Sequence, residues 1–247
     1  MESIDITFEA YVKHLFANHK GTRIYRFEYF GQHFWLKQPE QLKGIWKLLK
    51  PNPKTSFQQE IQTLRYFESV GAPVPILHLY NEDFFVLEDV GRTAIDWQED
   101  PTVSTELKQT ILSDCVKALI ELHEKDLIHG RPALRDMTWQ DRKVNFLDFE
   151  AHVYHKEKII WDKARDILIF IHGLCRSKVI SDHEVQRLIQ LYIELGNAEV
   201  WQLVCDTLRK YRFIYYLLLP FKSIAKTDLS AVYRLFENVS AQFEWEK

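Results

Sequence analysis

Cysteine is scarce in this chain: Cys115, Cys175 and Cys205 are the only three, and they stand far apart. An odd number at such spacing excludes a disulfide framework and a clustered thiolate metal site. They are expected to be reduced and buried as small apolar residues. Eight glycines and eight prolines in 247 residues are too few for a disordered or fibrous protein. Charge of one sign is also lacking, because 32 Lys and Arg face 35 Asp and Glu, for a net charge of -3. Nothing global therefore points to nucleic acid. The longest uncharged apolar stretch near the C-terminus runs from Phe213 to Phe221, is interrupted by Pro220, and is too short to span a bilayer. The first residues, MESIDITFEAYVKHLF, carry early acids and no long apolar core, unlike a secretory signal. The expected location is cytoplasmic, with at most a peripheral attachment to the inner membrane.

What is present is apolar and aromatic. Hydrophobic residues make up 46% of the chain and aromatics 14%, ample for one large domain or two intimate lobes. Residues 23–29 alternate polar and apolar side chains, Phe30-Gly31-Gln32 marks a tight turn, and residues 33–37 resume as a strand, so the pair reads as a hairpin. A short helix is expected over 41–50, stopped by Pro51 and Pro53. A second is expected from Phe57 to Ser69, capped by Ser56 and ended by Gly71. Strands are expected over 73–80 and 84–88. Beyond Gly91 the period changes. Leu107, Ile111, Leu112, Cys115, Leu119 and Leu122 follow helical spacing over 105–125. A short strand at 144–147 precedes helices near 163–175, 182–196, 198–217 and 228–243. Sheet-rich residues 1–91 and helix-rich residues 92–247 form the two expected units, joined near Leu87 to Gly91.

Four side chains have the character that phosphoryl transfer from ATP demands. Lys37 ends a strand with apolar neighbours, where it can reach phosphate. Glu60 lies mid-helix, between that strand and a Gly-x-Pro-x-Pro stretch at 71–75, and can hold the lysine. Asp148 ends a strand, where a carboxylate can meet a hard cation carried by phosphates. Asp136 stands twelve positions before it, after His129-Gly130. A base for the acceptor hydroxyl has no evident candidate.

These motifs resemble the protein-kinase-like superfamily, and within it the bacterial lipopolysaccharide kinases (Kdo and core-heptose kinases and the related toluene-tolerance group). The resemblance covers about residues 20–175. It implies an α+β, bilobal protein-kinase-like fold with an antiparallel-sheet N-lobe and a helical C-lobe. It implies ATP and Mg²⁺ as cofactors, with Lys37, Glu60 and the hinge residue Glu88 on the nucleotide and Asp136 and Asp148 on the metal. The acceptor it implies is a sugar hydroxyl of an envelope glycolipid. The superfamily loop reads His-x-Asp-x-x-x-x-Asn. Here His129 matches, Arg131 occupies the aspartate position, Asp136 the asparagine position, and Asp148-Phe149-Glu150 replaces Asp-Phe-Gly. Gly21 stands alone where a glycine-rich phosphate loop is expected. The catalytic residues it implies are Arg131 and Asp136: Arg131 cannot accept a proton, so it would bind an anionic substrate or transferring charge, and Asp136 would either ligate Mg²⁺ or orient the acceptor. Asp166 would brace the loop from below, and His129 would pack beneath it. The competing expectation is a pseudokinase, a nucleotide-binding or nucleotide-free module that works through protein contacts; a third is nucleotidyl transfer from a reoriented nucleotide.

Two stretches bear on membranes. Lys43, Lys47 and Lys50 share one face of the expected 41–50 helix, which suits anionic lipid, although a solvated face is favoured. The 213–221 run, with Arg209, Lys210, Arg212 and Lys222 nearby, is expected to be core.

Overall fold

A computed structural model describes residues 7–40, 53–149 and 158–242. The chain divides into two compact units, residues 1–90 and 91–247. No helix among the described residues is long and apolar enough to cross a membrane. The expected helix over 41–50, with Lys43, Lys47 and Lys50, lies outside the described residues, as does Glu150.

In the first unit, β1 (Ile24–Tyr29), β2 (Gln32–Lys37), β3 (Leu77–Tyr80) and β4 (Phe85–Glu88) form an antiparallel sheet in the order β1-β2-β4-β3. Side chains alternate across a strand, so register sorts them into two faces. Leu36 opposes Val86, and both join Phe27, Phe34 and Phe84 in a core closed by α1 (Phe8–Asn18) through Val12. Lys37 opposes Phe85 and therefore points to the other face. The second helix, α2 (Pro53–Ser69), buries Phe57, Ile61, Leu64 and Phe67, a stripe at helical spacing. Phe57 stacks on Phe85 with ring centroids 5.0 Å apart, which lays α2 against the face that carries Lys37.

Three expectations are corrected here. A helix at 8–18 replaces an unassigned N-terminus; its cap is Thr7, whose side chain accepts from the Ala10 N–H. The α2 helix starts at Pro53, not at Phe57, because proline suits the first turn, where its missing N–H is not needed. The strand expected over 73–80 is cut to four residues, with a register irregularity between Leu77 and Leu79.

The second unit starts with α3 (Ala94–Glu99) and α4 (Thr105–Glu124), which packs on α6 (Asp182–Leu195). A 3-10 turn at Leu134–Asp136 leads into β5 (Met137–Gln140) and β6 (Lys143–Phe146), an antiparallel hairpin. The helix α5 (Ile159–Arg176) packs on α7 (Ala198–Lys210) and α9 (Thr227–Ser240). Between these two runs α8 (Arg212–Leu218), followed by a 3-10 segment at Leu219–Ile224. The single helix expected over 198–217 is thus broken at Tyr211. The α+β class expected from the sequence is the class observed. All three cysteines are free and buried.

Candidate active site

The first unit contributes an ion pair. Lys37 Nζ donates to Glu60 Oε1 at 2.5 Å, with both side chains mostly buried. The two residues are 23 apart in sequence, and the Phe57–Phe85 contact explains why they meet. Lys37 Nζ also lies 5.7 Å from the Phe85 ring centroid. Glu88 stands apart from this pair. Its Oε1 accepts from the Ile76 N–H at 3.0 Å, which ties β4 to the segment before β3.

The second unit contributes a braced loop. Asp166 on α5 is fully buried. One carboxylate oxygen accepts from the His129 N–H at 2.8 Å and the other from the Gly130 N–H at 3.0 Å. His123 Nε2, at the end of α4, lies 3.3 Å from the same carboxylate. Gly130 has φ +94°, a conformation that costs glycine little. His129 is buried against Phe146 and Phe149, with ring centroids at 5.5 and 4.8 Å, and its Nδ1 accepts from the Arg131 N–H at 3.3 Å. This is the packing role expected of it.

A hairpin brings Asp136 and Asp148 together. Met137 pairs with Phe146, and the Leu147 N–H donates to the Asp136 carbonyl at 2.7 Å. The tip residues Asp141 and Arg142 both have positive φ, as a two-residue turn of the primed type requires. Trp139 Nε1 donates to Asp114 Oδ2 at 2.9 Å, and Arg142 Nη2 lies 3.2 Å from Asp114 Oδ1, so α4 fixes the hairpin. Asp148 follows in the left-handed region (φ 54°), a conformation aspartate tolerates better than most residues. Arg131 Nη2 donates to Asp148 Oδ2 at 3.4 Å.

Asp136 is the most perturbed acid of this group. Burial pushes its carboxyl up to about 6; Arg135 and Arg131 oppose that shift and the Asp148 charge adds to it. Arg135 Nε lies 3.5 Å from Asp136 Oδ2, yet that oxygen is buried without a hydrogen bond among the described residues. An unsatisfied carboxylate oxygen beside a second carboxylate is a donor set that fits a hard divalent cation. No group of three or more His, Cys, Asp or Glu among the described residues could hold a metal. A cation here would need ligands beyond these two described carboxylates, such as phosphate oxygens.

No family model matches the chain. An uncharacterized protein of Haemophilus influenzae is 48% identical to it over 230 residues, spanning 93% of this chain and 95% of the relative. The chain belongs to that protein's family. Among solved structures, the ADP-bound aminoglycoside phosphotransferase APH(2'')-Ib aligns with 94% of this chain and 97% of its own, at a TM-score of 0.48 and 10% identity. A likeness at that level assigns this family neither a substrate nor a reaction.

Two features around this loop carry almost no signal in the sequence. One is His123, whose only signal is a polar residue on the inward stripe of α4, four positions after Leu119. The other is the strand β5, hidden because Asp-Arg is a poor signature for a hairpin turn.

His129 makes stability depend on pH. Burial pushes its pKa down to about 4, while Asp166 and backbone partners oppose that shift. An unfolded histidine titrates near ~6.5. Below that pH the unfolded chain binds a proton that the folded chain refuses. This contribution is complete above about pH 6.5 and is lost as pH falls toward 4, by about 2 kcal/mol at pH 5. Urea unfolding at pH 7 and pH 5 should show it, and His129→Gln should flatten the difference. Equal pH slopes in both proteins would refute the assignment.

Proposed function

We propose that this protein is an ATP- and Mg²⁺-dependent phosphotransferase of the kinase-like fold, in the lipopolysaccharide-kinase group, acting on a sugar hydroxyl of a bacterial envelope glycolipid at the cytoplasmic face of the inner membrane. The observation that carries the reading is the Lys37–Glu60 ion pair, a strand lysine held by a helix glutamate. That pair is the phosphate-anchoring device of kinases. The glycolipid acceptor and the cellular site rest on the motif resemblance alone.

Lys37, oriented by Glu60, would bind the α- and β-phosphates. Asp136 and Asp148 would hold magnesium, which when bound neutralises charge on the phosphates. Asp166 would keep the loop carrying Arg131 in shape. Arg131 would face the transferring charge or an anionic acceptor. The acceptor oxygen forms a bond to the γ-phosphorus as the bridging oxygen of ADP leaves, and the hydroxyl proton passes to solvent. A missing general base lowers the rate by roughly 10²–10⁴-fold without removing the larger contributions of position and charge.

One observation favours a second reading. The Arg131 guanidinium engages Asp148, so a cation already sits at the proposed metal carboxylate. A pseudokinase that binds nucleotide and acts through a protein partner would have this arrangement.

The deciding experiment incubates the protein with envelope glycolipid and ATP labelled at the γ or the α position. Label from γ-ATP alone should enter the glycolipid, and Lys37→Ala should abolish it. Label from α-ATP would indicate nucleotidyl transfer. No label from either, with a melting temperature still raised by Mg·ATP, would establish the pseudokinase reading.

A further inference from the structure

The stretch 213–221, expected to be core, is largely exposed. In α8 and the following 3-10 segment, Phe213 is 63% exposed, Leu217 70% and Ile224 74%, and Tyr216 and Phe221 are exposed as well. The opposite side is anchored. Tyr215 packs on Phe236 and Tyr233 of α9, with ring centroids at 5.6 and 6.0 Å, and its hydroxyl donates to Glu237 Oε1 at 2.9 Å. The Tyr233 hydroxyl donates to the Leu218 carbonyl. The segment is therefore held by α9 while it offers apolar side chains to solvent.

Charge accompanies this apolar surface. Between Asp206 and Asp228 the sequence holds Arg209, Lys210, Arg212, Lys222 and Lys226 and no acidic residue. Arg209 pairs with Asp206 and Lys222 with Glu237, while Lys210 and Lys226 are exposed. Scattered exposed apolar residues need no explanation, but a contiguous set within a basic segment does.

We infer that this segment is a docking surface for an anionic lipid bilayer, with Phe213, Tyr216, Leu217, Phe221 and Ile224 entering the headgroup region and the basic residues meeting lipid phosphates. Aromatic and aliphatic side chains beside Lys and Arg, on a short helix without spanning length, are the chemistry of an interfacial anchor. A second copy of the chain fits less well, since two identical basic surfaces repel. Single-stranded nucleic acid fits less well, since Leu217 and Ile224, the two most exposed of the set, have no face on which a base stacks. The inference does not depend on catalysis, so its test can fail while the phosphotransferase reading stands.

The test is sedimentation of the full chain with vesicles of phosphatidylcholine alone or of phosphatidylcholine and phosphatidylglycerol at about 7:3. Partition onto the anionic vesicles should exceed that onto neutral ones by at least about tenfold and fall as salt is raised. The double variant Phe213→Glu/Leu217→Glu should lose at least about tenfold in partition. Lys210→Glu/Lys226→Glu should lose a similar factor on anionic vesicles only. Both should keep the parent's melting temperature within a few degrees. Equal partition onto both vesicle types, no binding, or undiminished binding by the first variant would overturn the inference. Sedimentation equilibrium should give a monomer; a dimer dissociated by Phe213→Glu/Leu217→Glu would assign the surface to a second copy instead.

Discussion

Asp166→Ala should destabilise the second unit by about 3–5 kcal/mol, the largest effect expected from any single substitution outside the apolar core. The carboxylate is fully buried and accepts from two consecutive backbone N–H groups, those of His129 and Gly130, with His123 against the same oxygen as His129. Hydrogen bonds to a charged group contribute about 1.5–3 kcal/mol each, and a buried donor left without a partner costs about 1–3 kcal/mol. The alanine variant loses both bonds and strands both donors. Asp166→Asn keeps the shape but sets an amide NH₂ against one of those N–H groups, so it should recover only part of the loss. Urea unfolding followed by circular dichroism measures both variants. A loss below about 1 kcal/mol for alanine would show that the loop holds its form without this brace. The functional consequence is positional: Arg131 and the approach to Asp136 both hang from the braced segment.

The second large effect concerns ligand binding, not stability. Asp148→Asn should remove the magnesium-dependent part of any ATP-induced rise in melting temperature and lower transfer by at least about 10²-fold. The amide keeps the volume but loses the negative charge that a hard cation selects. Stability should change by less than about 1 kcal/mol, because the Arg131–Asp148 pair is partly exposed and such pairs contribute little. The two responses separate the residue's roles. If the variant still shows the full magnesium-dependent shift, Asp148 does not hold the metal. If the unliganded variant melts far below the parent, the Arg131 contact is structural and the site reading loses its main acid.

The site's charge pattern is unusual for its proposed chemistry. A guanidinium stands where a proton acceptor is expected, and two carboxylates stand where an amide and a carboxylate are expected. The buried Asp136 resists ionisation beside Asp148, and Arg131 moderates that repulsion. An arginine replaces a carboxylate and a carboxylate replaces an amide, so Arg131, Asp136 and Asp148 together carry one formal negative charge where the superfamily pattern carries two. This suits a cation brought in on phosphates better than one held permanently.

Much of this was legible in the residues themselves. Lys37 and Glu60 could be paired because a strand lysine and a mid-helix glutamate came in a meaningful order. Asp166 could be assigned to the loop only through the resemblance, which implies an aspartate bracing it from below. The N-terminal helix is equally legible: Thr7 is a cap, and Phe8, Tyr11, Val12, Leu15 and Phe16 repeat at helical spacing. The hairpin joining Asp136 to Asp148 was not legible, since strands of four residues with an Asp-Arg turn carry almost no periodic signal. Residues 213–221 misled because an apolar run states a preference for burial and says nothing about whether a partner surface exists.

Periodicity and motif order, which are local properties, determined the α+β class, most of the helices and which acids and amines to watch. Tertiary structure alone decided which of them meet. The Phe57–Phe85 contact brings Glu60 to Lys37, the hairpin brings Asp148 to Asp136, and α9 holds one side of the 213–221 stretch while the other stays in solvent. Each outcome depends on strand pairing or packing between separate elements, which the period within any one element does not encode.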